Sequence, residues 1–380
     1  MDHSVNRESV VVAMSGGVDS SVAAALLHER GYRVIGVTMN LWDYERVGGN
    51  MNRDSGCCSI DTMDDARAVC HKLGVPHYVV NFREQFEAAV TDNFISEYME
   101  GRTPNPCVRC NTYIKWGVLI QKAEELGAEK IATGHYARVA YDDDSGRYLL
   151  KCGKDAKKDQ SYALWGIRQL GLARTLFPAG EFTKDEIRQI ARRLGLRTAE
   201  KPESQEICFI PDNDYTRYLR MKRPEIETQL RAGEIVDQSG QQVGTHAGFP
   251  FYTIGQRKGL GISAPQPVYV TEIDAGSNRI VVGSNDDLLH AGLIADNVNW
   301  IALEKLEGEM PVEAKIRYNS PAVPAVIRPI ENGAIELRFI EPQRAVTPGQ
   351  SVVFYQGDVV VGGGVIRSDI KKLTVVEMSI

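Results

Sequence analysis

The sequence predicts a doubly wound α/β domain with a parallel sheet, then a small central domain and a C-terminal antiparallel β-barrel. Three observations carry this. Apolar runs alternate with helical patterns through the first half, from "VVVAMSGGVDSSVAAALL" to "IATGHY", as a parallel sheet with crossover helices requires. After residue 212 the composition shifts towards Gly, Arg and Lys. From residue 268 onward short alternating segments follow, among them "PVYVTEID", "RIVVGS" and "SVVFYQGDVVVGGGVI". Turn residues separate them as in a closed barrel or a sandwich. The domains are accordingly drawn at 1–212, 213–275 and 276–380.

In order, Val10 to Met14 reads as a buried strand. Ser20 to Arg30 reads as a helix with Val22, Ala23, Leu26 and Leu27 on one face and Gly31 as its stop. Val34 to Met39 is the next strand, Asp61 to Leu73 a helix ended by Gly74, and His77 to Asn81 a strand. Helices are expected over Arg83 to Met99 and Thr112 to Leu126, then a short strand over Lys130 to Thr133. "YDDDSGRYLL" is a turn between two strands. Thr183-Lys184-Asp185-Glu186 is a capping box opening a helix over Asp185 to Leu194.

The chain has 380 residues, 43% of them hydrophobic and 25% charged, enough for two or three ordinary domains. No apolar run approaches the ~18–20 residues that span a bilayer, and "MDHSVNRESV" lacks the apolar core of a signal peptide. A cytoplasmic location without membrane contact is the expectation. A net charge of −6 gives no general attraction to nucleic acid, so an RNA partner would need local basic patches. The cysteine count, seven, is odd. That argues against a disulfide scaffold and for metal binding or thiol chemistry.

The segment Ser15-Gly16-Gly17-Val18-Asp19-Ser20-Ser21 joins a strand to a helix. A glycine-rich turn of this kind gathers backbone N–H groups at the positive end of a helix dipole, a site suited to phosphate. Gly16 and Gly17 let the backbone approach, and Ser15, Ser20 and Ser21 add hydroxyls. Asp19 would repel bare phosphate, so magnesium carried on the phosphates is its expected partner. The Walker pattern and its lysine are absent. The string is similar to the loop of enzymes that cleave ATP to AMP and pyrophosphate.

"GRTPNPCVRCNTYIKW" places Cys107 directly after a Pro-Asn-Pro stretch and Cys110 three residues further on, with Arg109 and Lys115 nearby. A cysteine close to a helix N-terminus and to cations gains thiolate character. "KPESQEICFIPDND" carries Cys208. Three readings stand. Cys208 carries a persulfide that Cys110 resolves, leaving a disulfide. Alternatively Cys107, Cys110 and Cys208 hold an iron–sulfur cluster, a [4Fe-4S] centre with one open iron. Or the Cys-x-x-Cys pair is half of a structural zinc site. Cys57, Cys58, Cys70 and Cys152 are expected to be bystanders.

Taken together, "AMSGGVDSS", "GRTPNPCVRCN", "ATGHYAR", "KDQSYALW", "ESQEICFIPD", "TIGQRKGLGI", "KIRYNSP" and "AVTPGQSVVFY" resemble, in this order, the tRNA-specific 2-thiouridylases. The resemblance covers nearly the whole chain. It implies ATP-dependent replacement of the C2 oxygen of the wobble uridine in the tRNA anticodon loop by sulfur. It would place ATP on Ala13, Met14, Ser15, Gly16, Gly17, Val18, Asp19 and Ser20, with the adenine near Met39 and Gly134. The catalytic thiols would be Cys110 and Cys208, and the target base would lie against Asn105, Pro106 and Cys107. His135, Lys158, Asp159, Gln160, Arg317, Tyr318 and Gln350 fall on positions expected to touch tRNA. A sulfur donor, either a cysteine desulfurase or a relay protein, is implied as partner. The family also has a form with aspartate where this chain has Cys107, and the thiol here favours cluster chemistry as much as the persulfide.

A base stacked in an anticodon loop must be splayed out to be reached. Pro104 to Pro106 would wall the pocket. Basic clusters for the RNA are "KCGKDAKK", "RYLRMKR", "QRKG" and "KIRY", and in the second Tyr218 interleaves with arginine and lysine, as stacking plus phosphate contact would need. The third reads as an ordered turn rather than a nucleotide site. A plain solvated face is the alternative for each cluster. Two other functions fit parts of the sequence: an ATP-pyrophosphatase amide ligase acting on a small carbonyl, and a non-catalytic RNA-binding protein with a zinc knuckle. The cysteine set argues against the first and the intact loop against the second.

Overall fold

In a computed structural model of the chain, five parallel strands form the first sheet. Four of them are β1 (Ser9–Ala13), β2 (Arg33–Asn40), β3 (His77–Asn81) and β4 (Lys130–Ala132). The sheet runs β3-β2-β1-β4 and ends on the short strand Thr175–Leu176. Residues 8–43, 60–202, 207–226 and 232–371 are described, so Cys57, Cys58 and the first four residues of "ESQEICFIPD" lie outside them. By contacts the chain divides into one unit of Met1–Val90, Cys107–Asp214 and Asp358–Val360, and another of Thr91–Pro106, Tyr215–Gly357 and Val361–Ile380.

In the first unit β1 is buried on both faces, with Val10, Val11 and Val12 fully buried, as parallel strands covered by helices are. The first helix, α1 (Val18–Glu29), starts two residues before the position the pattern predicts, because Gly17 with extended backbone caps it. It is buried not on one face but from Ser20 through Leu27. A second helix, α2 (Ile60–Leu73), and the helix Lys184–Arg193 flank it, and Ala66, Val69, Ile187 and Ala191 share one core with Val22 and Leu26. Thr183 and Glu186 cap the Lys184–Arg193 helix reciprocally, as the capping box predicts. The helix expected over Thr112 to Leu126 begins earlier, at Pro106. It runs Pro106–Arg109, then wider i→i+5 turns over Cys110–Val118, then Leu119–Glu125. Such widened turns recur at functional sites.

The second unit holds two β systems. A four-stranded sheet orders Tyr269–Asp274, Arg279–Gly283, Gly233–Val236 and Gln242–His246 over a small core of Ile235, Phe249, Val270 and Ile280. This sheet therefore extends past residue 275 to Gly283. The strands Leu289–Trp300, Ile335–Arg344, Val323–Pro329, Met310–Lys315, Ser351–Gln356 and the length of Val359–Ile370 from Val361 onward neighbour one another in that order. Pairing of the last with the first closes the barrel. Its core is Leu293, Ala314, Ile327, Leu337, Val352 and Phe354. Among the described residues no helix is long and apolar enough to cross a membrane.

Candidate active site

The winding of the parallel sheet reverses between β1 and β4. In open α/β sheets ligands bind there, beyond the carboxyl ends of the strands. The loop after β1 carries Met14 to Gly17, and the loop after β4 carries Thr133 to Tyr136.

Gly16 has φ of 68°, and a Cβ on it would lie 2.1 Å from the Thr62 carbonyl oxygen of α2. Conformation and packing both demand glycine there. Gly17 is different. A Cβ would meet nothing closer than Ser15 Oγ at 3.5 Å, so what glycine provides here is open access to the backbone. The loop closes on itself: Ser15 N–H donates to Ser20 Oγ at 3.3 Å, and the hydroxyls of Ser20 and Ser21 donate to the Gly17 carbonyl at 3.2 and 2.8 Å. Of the three serines only Ser15 is exposed; Ser20 and Ser21 are buried and hold the turn rather than offering free donors. Ala13, Met14 and Val18 are buried behind the loop. Met14 N–H donates to the Val37 carbonyl and Thr38 to the Met14 carbonyl, which sets Met39 at the end of β2 beside it.

Asp19 has partners that the sequence did not suggest. The Lys184 ammonium bonds both of its oxygens, at 2.8 and 2.9 Å, and the Tyr136 hydroxyl donates to Oδ1 at 2.6 Å. Lys184 is itself only 8% exposed. A fixed ammonium thus sits on the carboxylate for which magnesium carried on the phosphates is the expected partner. Lys184 was legible only as the first residue of a capped helix. Gly134 seals the two loops together, since a Cβ there would lie 2.6 Å from Asp19 C and Ser20 N.

His135 follows. Lys115 Nζ is 3.2 Å from its Nε2, and Thr133 Oγ1 faces its Nδ1. An ammonium can only donate, so Nε2 accepts and Nδ1 carries the proton. Burial and the Lys115 charge hold the imidazole well below its ordinary pKa. Lys115 stands on the helical stretch that starts with Cys110, and this contact ties the cysteine helix to the switch point. Asn111 donates to the Ala163 carbonyl at 2.8 Å and Trp116 to Thr175 Oγ1 at 2.6 Å, anchoring the same stretch twice more. Arg109 donates to the Ala89 carbonyl and lies over the Tyr113 ring.

Cys107 is exposed, and Cys110 and Cys208 are partly so. Cys208 precedes Phe209 and Ile210, each 1% exposed, and Phe209 packs edge-on against Phe86 at 5.6 Å. Burial pushes the Cys70 thiol up to about 11, which leaves it inert at neutral pH. Among the described residues no group of three or more His, Cys, Asp or Glu side chains is placed to hold a metal ion. The three cysteines therefore do not form a ready cluster site in this arrangement.

Asp159 is the hub of a local turn, accepting from Gly153 N, Ser161 N and Ser161 Oγ. Gln160 Oε1 accepts from Tyr136 N at 3.0 Å, and Lys158 opens the same turn at Asp155. In the second unit, Gln350 Nε2 donates to the carbonyls of Thr103 and Pro104 at 3.1 and 2.9 Å. Thr103 N donates to the Pro348 carbonyl. These bonds fix the chain just before Asn105 and Pro106. Arg317 donates to the Arg344 and Ala345 carbonyls, while Tyr318 is 42% exposed with Lys315 over its ring. Tyr218, expected to interleave with basic residues at the surface, is 1% exposed and packs against Phe94.

A glycine–serine loop at the switch point of a parallel sheet, closed over a lysine–aspartate pair, defines a nucleotide-binding α/β protein. Family models agree in order along the chain: the tRNA methyl transferase HUP domain over residues 8–212, the tRNA methyl transferase PRC-barrel domain over 225–284 and the aminomethyltransferase beta-barrel domain over 290–366. The tRNA-specific 2-thiouridylase MnmA of Heliobacterium modesticaldum is 55% identical over 95% of this chain and 92% of its own length. Those of Carboxydothermus hydrogenoformans and Clostridium perfringens are each 50% identical over 96% of this chain, and over 98% and 99% of their own lengths. The chain belongs to the tRNA-specific 2-thiouridylase family.

Proposed function

We propose that the protein is a tRNA sulfurtransferase that uses ATP to convert the C2 carbonyl of the wobble uridine to a thiocarbonyl. The observation that supports this most is the Lys115–His135 contact, which joins the cysteine helix to the loop after β4, itself packed on the nucleotide loop at Gly134. ATP, with its magnesium, would lie on Ala13 to Ser20 with the adenine towards Met39 and Gly134. The Lys184 ammonium, paired with Asp19, would hold the loop and its backbone N–H groups in place for the phosphates. The base would rest against Asn105, Pro106 and Cys107, with tRNA held by His135, Lys158, Asp159, Gln160, Arg317, Tyr318 and Gln350.

The uridine O2 attacks the α-phosphorus, the bond to the β-phosphate breaks, and pyrophosphate leaves. The terminal sulfur of a persulfide on Cys208 then attacks C2 and AMP departs. The Cys110 thiolate attacks Cys208 Sγ, the product thiocarbonyl is freed, and a Cys110–Cys208 disulfide remains for an external dithiol to reduce. A persulfide-carrying donor protein reloads Cys208. Among the described residues Cys107, Cys110 and Cys208 form no three-ligand group, which supports this route over a cluster. Methyl transfer, which the family-model description names, would leave the pyrophosphatase-type loop without a role, because a methyl donor brings its own leaving group.

The test follows both half-reactions in one mixture, pyrophosphate release and 2-thiouridine formation on unmodified tRNA with a persulfide donor. Cys110→Ser and Cys208→Ser should lose thiolation by on the order of 10³-fold or more and still release pyrophosphate. Thiolation retained in either overturns the persulfide route. Iron and sulfide found in anaerobically purified protein, and lost with Cys107→Ser, would put the cluster in its place. Absence of tRNA-dependent pyrophosphate release from the parent protein overturns the function itself.

A further inference from the structure

The barrel loop 345–350 presses on the segment 103–104, and both lie in the second unit. Thr103 N–H donates to the Pro348 carbonyl at 2.9 Å. Gly349, with φ of 90°, stands so close that a Cβ on it would lie 2.7 Å from the Thr103 carbonyl oxygen. Gln350 Nε2 donates to the carbonyls of Thr103 at 3.1 Å and Pro104 at 2.9 Å. The loop is itself fixed to the barrel. Gly349 N–H donates to the Ile366 carbonyl and Ile366 N–H to the Gln350 carbonyl, both at 2.8 Å, and Ile366 is fully buried. At the start of the loop Arg317 donates to the Arg344 carbonyl at 2.8 Å, and Thr347 Oγ1 to the Ala345 carbonyl at 2.9 Å. Just before the segment, Arg102 holds both carboxylate oxygens of Glu97, at 2.6 and 2.9 Å. Asn105 and Pro106 follow directly.

We propose that Gly349 and Gln350 are positioning residues for the target base. They set the wall made by Asn105 and Pro106, so the barrel acts on the reaction through that wall and not only by gripping RNA. A side-chain amide nitrogen carries two hydrogens, and a carbonyl partner accepts but never donates. Gln350 gives both hydrogens to Thr103 and Pro104, which leaves Oε1 alone to face RNA. An RNA group that meets it must be a donor, such as a 2′-hydroxyl or a base N–H. Misplacing a reacting group by about 1 Å costs about 10²-fold in rate, so a wall held this firmly has a direct bearing on attack by the uridine O2. This inference rests on the base lying against Asn105 and Pro106.

The experiment uses the full-length protein, ATP and unmodified tRNA. It reads tRNA affinity and, at saturating tRNA, the single-turnover rate of pyrophosphate release. Gly349→Ala adds one methyl at a residue that offers RNA no side chain. It should leave tRNA affinity within about threefold of the parent and slow pyrophosphate release about tenfold or more. Gln350→Glu keeps the shape and an acceptor but turns the donor end into an oxygen facing two carbonyls. It should slow release to a similar degree. Gln350→Lys can still donate to both carbonyls and should recover part of the rate. A parent rate in folded Gly349→Ala or in Gln350→Glu overturns the proposal, and so do equal rates in the Glu and Lys variants. Affinity and rate falling in parallel in Gly349→Ala would mark mere support of the fold and overturn it too. Should Gly349→Ala not fold, the Glu and Lys variants still decide. Asn105→Ala in the same assay separates this from the underlying reading. A parent rate there removes the base from the wall, whereas a slow Asn105→Ala beside Gly349→Ala and Gln350→Glu at the parent rate removes only the positioning role.

Discussion

Residues 15–20 build their site within one turn of chain, whereas the thiols come from a helix that holds Cys107 and Cys110 and from a separate segment that holds Cys208. In the loop, serine hydroxyls close on Gly17, Gly16 sits against α2, and Asp19 is locked by Lys184 and Tyr136. The cysteines are partly or fully accessible and form no common ligand set. The difference follows from the two tasks. Attack on an α-phosphorus gains from donors that need no reorganisation. A thiol that must meet a donor protein and then a base held in a pocket gains from access and movement. On the proposed route one site is preformed, and the other is assembled during turnover.

The sharpest way to break that contrast is Lys184→Met. On the proposed reading, removing the ammonium leaves the Asp19 carboxylate unpaired beside the ATP phosphates, and pyrophosphate release should fall by on the order of 10²–10³-fold. The rates at which a maleimide labels Cys107 and Cys110 should not change. Normal pyrophosphate release would mean that the loop does not depend on the ammonium that pins Asp19, and the preformed site would lose its main support.

A smaller effect is expected at the seam between the two loops. In Gly134→Ala the new Cβ meets the backbone of Asp19 and Ser20 at 2.6 Å, and backbone cannot swing aside as a side chain does. Overpacking of this kind costs about 1–3 kcal/mol. Chemical denaturation should show that loss, and ATP affinity should fall with it. An alanine variant with parent stability would show that the loops have slack.

The parallel sheet, its glycine loop and the closed barrel were legible because each leaves a local imprint: a strand, a turn residue, a capped helix or an alternating segment. The Lys184–Asp19 pair was not legible, because 165 positions separate its members and nothing local marks a lysine at the start of a capped helix as an active-site cation. Ser20 and Ser21 were read as phosphate donors because hydroxyls next to glycines suit that role. Their direction depends on helix phase, and the early start at Val18 turns both inward. Tyr218 was misplaced for a similar reason: composition showed basic residues around it, but the ring contact with Phe94 comes from a distant segment.

The mildest test concerns His135, where the preformed site meets the cysteine helix. In the unfolded chain its imidazole would titrate near ~6.5. In the fold, burial and the Lys115 ammonium oppose protonation. Below about pH 6.5 the unfolded state therefore binds more protons than the folded one, and stability falls as pH falls, by at most ~1.4 kcal/mol per pH unit for one such group. His77 and His246, also held below their ordinary values by burial, add slopes of the same sign. The informative quantity is thus the difference between the parent and His135→Asn. Denaturation midpoints taken between about pH 7.5 and 5 should fall more steeply in the parent, and the two curves should converge at the acid end. Curves that stay parallel would mean that folded His135 takes up a proton as readily as the unfolded chain does. The Lys115 ammonium could not then sit against Nε2, and the cysteine helix would lose one of its three anchors at this face of the sheet.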